Sequence, residues 1–211
     1  MNKWLVIASI ALTFAVTGAQ AAGNADEGKT KSAVCAGCHA ADGNSGLNPL
    51  WPKIAGQHPG YIEKQLKAFK ASTSTDPKVS KRNDPLMAPM AMPLSEQDMA
   101  DLAAYFSSQT RTTGTASADV VAAGEALYRA GNAETGVAAC MACHGPAGFG
   151  IPEAGFPALA GQNAAYTEKA LKDFRSGART NDMNKMMQGV VERMTDEEVA
   201  AVAQYIQGLS K

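Results

Sequence analysis

The sequence predicts an all-α protein assembled from two similar helical units in tandem. A five-residue pattern, Cys-x-x-Cys-His, occurs as Cys35-Ala-Gly-Cys38-His39 and again as Cys140-Met-Ala-Cys143-His144, and together the two copies use all four cysteines of the chain. Residues 51–72 align with residues 156–177 at an offset of 105, the same offset that relates Cys35 to Cys140. Apolar residues recur at helical spacing, and no stretch sustains the period-two alternation of a half-buried strand.

The chain opens with a segment of secretory type. Lys3 supplies a positive charge, residues 4–16 form an apolar run of 13, and Ala19-Gln20-Ala21 has the small-x-small form of a cleavage site. Residues 1–21 are therefore expected to be a signal peptide, with the mature chain starting at Ala22 and exported to the periplasm. The apolar run is shorter than the roughly 20 residues needed to span a bilayer as a helix.

The repeat divides the rest into a first unit, residues 22–110, a polar linker, residues 111–117, and a second unit, residues 118–211. Each unit follows one plan. A helix is expected near Asp26 and near Asp119, running toward the cysteine pattern, in the second unit over residues 118–139. A second helix follows Gly60 and Ala165, and Tyr61, Leu66 and Phe69 there match Tyr166, Leu171 and Phe174 as one apolar stripe. The last helix opens with Ser95-Glu-Gln-Asp98 and with Thr195-Asp-Glu-Glu198, a hydroxyl followed three residues on by an acid, which is the form of a capping box. Residues 94–106 align with residues 194–206 at an offset of 100, so the second unit is five residues shorter between its middle and last helices.

Cys-x-x-Cys-His is the attachment signature of a c-type haem. The two cysteines form thioethers to the haem vinyl groups, and the adjacent histidine ligates the iron. Two patterns with no cysteine left over imply two covalent haem c groups, held by Cys35 and Cys38 and by Cys140 and Cys143, with His39 and His144 on the irons. An all-helical unit of this size has a thin core of its own, and a porphyrin against the apolar stripes supplies the centre it lacks.

A second axial ligand must come from elsewhere. The remaining histidine, His58, faces Asn163 in the repeat and so cannot serve a role common to both halves. Met87 and Met187 are direct mates at the offset of 100. Each lies in the segment before the last helix, where the chain can fold over the open haem face. Met90, Met92, Met183 and Met186 stand opposite Val190, Glu192, Asn83 and Leu86, and none of these partners carries a thioether. The expected metal ligands are thus His39 with Met87 and His144 with Met187. Pro49 or Pro52 is expected to orient His39, and Pro152 or Pro157 to orient His144. Trp51 and Phe156 are expected against the haem edges.

Net charge is −1. Residues 22–114 hold 10 Lys/Arg and 9 Asp/Glu, and residues 115–211 hold 8 and 11. No large basic patch or interleaved aromatic platform suggests nucleic acid. Lys64, Lys67 and Lys70 fall at helical spacing as a small positive stripe. With both irons given a second ligand, no open position is left for a small-molecule substrate.

Over the whole expected mature chain the sequence resembles the cytochrome c4 family. The resemblance is carried by residues 34–45 (VCAGCHAADGNS), by the two AGQ segments at residues 55–57 and 160–162, and by residues 101–109 and 201–209. It implies two tandem class I cytochrome c domains with His/Met ligation, at His39 with Met87 and His144 with Met187, and haem propionates near the interface. It implies an electron carrier between respiratory complexes, from the bc1 complex toward a terminal cytochrome oxidase; some members are loosely held at the inner membrane. The second half departs from the first after its cysteines, where CMACHGPAGFG lacks the DGNS of residues 42–45.

Overall fold

A computed structural model describes residues 22–210. The expected signal peptide, residues 1–21, lies outside them. The described residues contain helices and loops, with isolated bridges between Asn132 and Val137 and between Ile151 and Phe156 but no strand. The first half comprises α1 (Ala25–Lys31), α2 (Ala36–His39), α3 (Pro59–Lys70), α4 (Met87–Ala91) and α5 (Glu96–Ser108). The second comprises α6 (Ala118–Ala130), α7 (Met141–His144), α8 (Ala164–Ser176), α9 (Met186–Val191) and α10 (Asp196–Gly208). Among the described residues no helix is long and apolar enough to cross a membrane.

Both halves are organised by the packing of their first helix on their last, α1 on α5 and α6 on α10. Glycine sets the closeness of each crossing. A Cβ on Gly28 would run into the Asp101 carbonyl and the Tyr105 side chain, and one on Gly124 into the Ala201 carbonyl and the Tyr205 side chain. Both capping boxes form: Ser95 and Thr195 accept from the N–H groups of Asp98 and Glu198, whose carboxylates accept in return from the cap N–H groups. In the first half Asp101 adds a tether. It is 2% exposed and accepts from the Asn24 N–H (2.8 Å), from Lys31 Nζ (2.5 Å) and from Gln97 Nε2 (2.8 Å). Its counterpart in the second half is Ala201.

Behind these crossings lie two apolar clusters. One groups Ile62, Leu102, Ala103 and Phe106; the other is larger and includes Leu127, Tyr128, Phe174, Val191, Val199, Val202 and Ile206. Cys35 packs on the first and Cys140 on the second, each only partly covered.

The second half departs from the expected helix over residues 118–139. α6 stops at Ala130 because Gly131 turns left-handed (φ 70°), and Asn132 then pairs with Val137. The chain reaches Cys140 through this short loop. The lysine stripe is also less free than its spacing suggests. Lys67 lies 3.8 Å from Glu63 and 3.9 Å from Glu96, and Lys70 donates to the Leu94 carbonyl.

Candidate functional site

The two cysteine patterns take the same local form. Each second cysteine and histidine lie in a single helical turn, α2 or α7, and the histidine N–H bonds back to the first cysteine's carbonyl, at 2.9 Å in the first half and 3.0 Å in the second. The chain then bends so that the N–H of Ser45 or Gly150 closes onto the histidine carbonyl, at 2.9 Å in both halves. Ser45 adopts a left-handed φ of 41° there, where the second half has Gly150 at 72°. Tyr128, fully buried, donates from its hydroxyl to the Gly145 carbonyl at 2.7 Å, and Tyr105 donates to the Ala41 carbonyl at 2.9 Å. Both tyrosines thereby anchor the residues just after the histidines.

His39 and His144 are buried. His39 Nδ1 lies 2.9 Å from the Pro52 carbonyl and His144 Nδ1 2.9 Å from that of Pro157. A carbonyl can only accept, so Nδ1 carries the proton in each ring and Nε2 keeps its lone pair, the tautomer that an Nε2 metal ligand needs. Of the proline pairs left open by the sequence, the structure selects Pro52 and Pro157. Burial pulls both imidazoles below their ordinary pKa, more strongly than the proline bonds raise them. Phe156 stands 6.2 Å from the His144 ring, centroid to centroid.

Cys35, Cys140 and Cys143 are partly covered and Cys38 is exposed. Burial pushes Cys140 up to about 11, and burial followed by the neighbouring Cys38 raises Cys35. Partly covered cysteines beside an apolar wall, with the thiolate disfavoured at Cys35 and Cys140, suit thioether formation to haem vinyl groups. They do not suit a thiolate metal centre, and among the described residues no three His, Cys, Asp or Glu side chains converge as such a centre would require. The donor set therefore fits a covalent haem in each half.

Met87 is the first residue of α4 and Met187 the second of α9, both half-buried. Met187 packs on the cluster that also carries Cys140. Met90, Met92, Met183 and Met186 are all exposed. His58 precedes α3 at its N-cap position without capping it through its side chain, and its Nε2 is buried with no hydrogen-bond partner.

The halves meet along a polar seam with approximate twofold symmetry. Gln57 Nε2 donates to the Ala158 carbonyl and Gln57 Oε1 accepts from the Ala158 N–H, both at 2.9 Å. Gln162 does the same to Lys53, 2.8 Å each way. Gln57 and Gln162 are mates at the offset of 105, as are Lys53 and Ala158. Arg82 lies 4.7 Å over the Phe69 ring and reaches the Tyr166 hydroxyl at 3.4 Å; Arg179 lies 4.4 Å over Phe174 and reaches Tyr61 at 2.8 Å. Gln65 Oε1 accepts from both guanidinium groups, at 3.0 and 3.1 Å. Burial pushes the Tyr166 phenol up, but Arg82 and Arg179 outweigh it and bring it to about 8.

Arg111, at the start of the expected linker, is drawn into the same seam. It donates to the carbonyls of Ala55 (2.7 Å), Ala158 (3.2 Å) and Ala160 (3.3 Å), and burial lowers its pKa to about 10. Lys53 donates to the Thr112 carbonyl at 2.7 Å. Among the described residues, none of Lys53, Arg82, Arg111 and Arg179 is ion-paired with a carboxylate. A seam rich in unpaired cations suits anionic groups such as haem propionates. The seam residues carry no motif of their own; their one sequence signal is AGQ repeated at the same offset as the cysteines.

A family model described as cytochrome c matches residues 25–110 and 121–210. The chain is 50% identical over 191 residues to cytochrome c4 of Thiocapsa roseopersicina, covering 90% of this chain and 94% of that one. It is 48% identical over 211 residues to cytochrome c4 of Pseudomonas aeruginosa, covering 99% and 100%. The crystal structure of reduced recombinant cytochrome c4 from Pseudomonas stutzeri superposes with a TM-score of 0.84 at 46% identity, covering 89% of this chain and all of that one.

Proposed function

The chain belongs to the cytochrome c4 family, and from that premise we propose that it receives electrons from the bc1 complex and delivers them to a terminal cytochrome oxidase at the periplasmic face of the inner membrane. It is a dihaem electron-transfer protein, and members of this family are carriers, not enzymes. Residues 22–110 and 118–211 are the two haem domains, joined by residues 111–117. Export by a cleaved leader, residues 1–21, brings the chain to the compartment where covalent haem c is attached.

In each domain the cysteine pair, Cys35 with Cys38 or Cys140 with Cys143, forms the thioethers, and His39 with Met87 or His144 with Met187 ligates the iron. The observation that carries this reading is the duplicated histidine geometry, the same buried ring donating Nδ1–H to a proline carbonyl at 2.9 Å in both halves. When bound, each haem would supply a one-electron iron couple, and a thioether ligand would favour its reduced form.

The rest is done by the chain. Pro52 and Pro157 fix the histidine tautomer. Asp84 accepts from the N–H groups of Leu86 (3.0 Å) and Met87 (2.9 Å) and so sets the start of α4. The reciprocal glutamines hold the halves in one relation, and Arg82, Arg179 and Arg111 place positive charge in the seam between them, where it would attract anionic groups such as propionates. Fixed ligands and a fixed seam keep atomic rearrangement on electron transfer small.

The ligand assignment is tested by the weak sulfur-to-iron charge-transfer band of the oxidised holoprotein. Met87→Ala and Met187→Ala should each remove about half of it and lower one haem potential, as loss of a thioether ligand requires. An unchanged band in either variant would refute the assignment for that haem.

A further inference from the structure

Each histidine of the cysteine patterns is linked to the opposite domain through a single peptide group, and we propose that Gln162 tunes the first haem and Gln57 the second: each glutamine of the seam is a positioning residue for the iron ligand of the other half. The inference rests on the assignment of His39 and His144 as axial ligands.

The link is the same in both halves. His39 Nδ1 donates to the Pro52 carbonyl at 2.9 Å, and the other end of that peptide unit is the Lys53 N–H, which donates to Gln162 Oε1 at 2.8 Å. His144 Nδ1 donates to the Pro157 carbonyl at 2.9 Å, and across that peptide the Ala158 N–H donates to Gln57 Oε1 at 2.9 Å. The last member of each chain belongs to the other domain. Both histidines, both glutamines, Lys53 and Ala158 are buried, so these bonds form away from bulk water. The glutamine amides are also fixed in orientation. Gln162 Oε1 accepts a second N–H from Asn163 (2.9 Å) and Gln57 Oε1 one from His58 (3.0 Å), while their Nε2 groups donate to the Lys53 (2.8 Å) and Ala158 (2.9 Å) carbonyls. A flipped amide would set donors against donors.

A peptide unit transmits polarisation because its C–N bond is partly double. An acceptor on the N–H pushes negative charge onto the carbonyl oxygen, and linked hydrogen bonds strengthen one another by about 10–30% per bond. A stronger carbonyl acceptor pulls harder on the Nδ1 proton and makes the ring's Nε2 more basic toward a metal. A more basic ligand favours oxidised iron, so each glutamine holds down the potential of the other domain's haem. Its loss should favour the reduced form by about two- to fourfold, the effect of that strengthening on a charge-assisted bond. The link exists only while the domains are docked, so each potential reports on the seam.

The experiment is a redox titration of the holoprotein followed by NMR, with each haem assigned through the protons of its own cysteines. Gln162→Leu keeps the seam filled and removes the acceptor. It should raise the first haem's potential by about two- to fourfold in the reduction equilibrium, move the His39 Nδ1–H resonance of the reduced protein upfield, and leave the second haem and His144 nearly unmoved. Gln57→Leu should do the converse. A merely loosened seam would admit water, which favours oxidised iron and lowers both potentials. A shift confined to the glutamine's own domain, equal shifts at both haems, a fall at both, or no shift in either variant would overturn the inference with the ligand assignment intact. A His39 or His144 ring lacking the ring-current shift of a haem ligand would overturn the assignment itself.

Discussion

Replacing Gln162 by alanine tests whether the seam makes one body of the two domains. The Gln162 amide is 6% exposed and serves three backbone groups: the Lys53 N–H, the Lys53 carbonyl and the Asn163 N–H. Each buried group left unpartnered costs about 1–3 kcal/mol, and water entering the truncated site recovers part of that. A net loss of about 2–4 kcal/mol follows. Gln57→Ala should cost less. It strands the N–H groups of Ala158 and His58, but the Ala158 carbonyl keeps its bond from Arg111 at 3.2 Å. Denaturant unfolding of the holoprotein, followed by haem absorbance, gives both values. The two glutamines bridge the same pair of segments, so the double variant should depart from additivity. It should also resolve two unfolding steps where the parent shows one. Stability of Gln162→Ala within about 0.5 kcal/mol of the parent, the range of an ordinary surface change, would refute the reasoning.

Two further outcomes can be checked by thermal unfolding. Gly124→Ala drives a methyl group into the Ala201 carbonyl at the crossing of α6 and α10, and should destabilise the second domain by about 1–3 kcal/mol, as overpacking does. Asp101→Asn tests the tether in the first domain. Bonds from the Asn24 N–H and from Lys31 hold the Asp101 carboxyl below its usual range. Its stabilisation is therefore complete above the unfolded carboxyl value of about 4 and is lost as pH falls through the lower folded value. The variant should melt earlier than the parent near neutral pH, with the gap closing in acid.

The features that were legible from sequence are those governed by local pattern. The cysteine–histidine patterns, the capping boxes at Ser95 and Thr195, and the helices after Gly60 and Ala165 each depend on residues within a few positions of one another. The end of α6 was missed because Leu127 and Tyr128 continue a helical period that Gly131 interrupts by backbone conformation. The seam was missed for another reason. Gln57, Arg82 and Arg179 look like surface polar residues until the other domain covers them, and Arg111 looks like linker until three carbonyls surround it. Tyr61 falls in an apolar stripe by spacing, yet its hydroxyl accepts from Arg179 of the other half. The choice between Pro49 and Pro52 turned on a carbonyl direction, which the sequence does not encode locally. The consecutive left-handed residues Asn184 and Lys185, just ahead of α9, have no glycine to announce them.

The central claim is that one chain holds two separate one-electron centres and performs no chemistry on a substrate. Its most direct test is a spectroscopically monitored potentiometric titration of the purified holoprotein, with turnover assays on peroxide and thiosulfate alongside. The account predicts two covalent haems per chain, two reversible one-electron steps at separate potentials because the pockets differ at Ser45 and Gly150, and negligible turnover. A single redox step carrying one electron per chain, or sustained turnover with a five-coordinate haem in the resting spectrum, would contradict it.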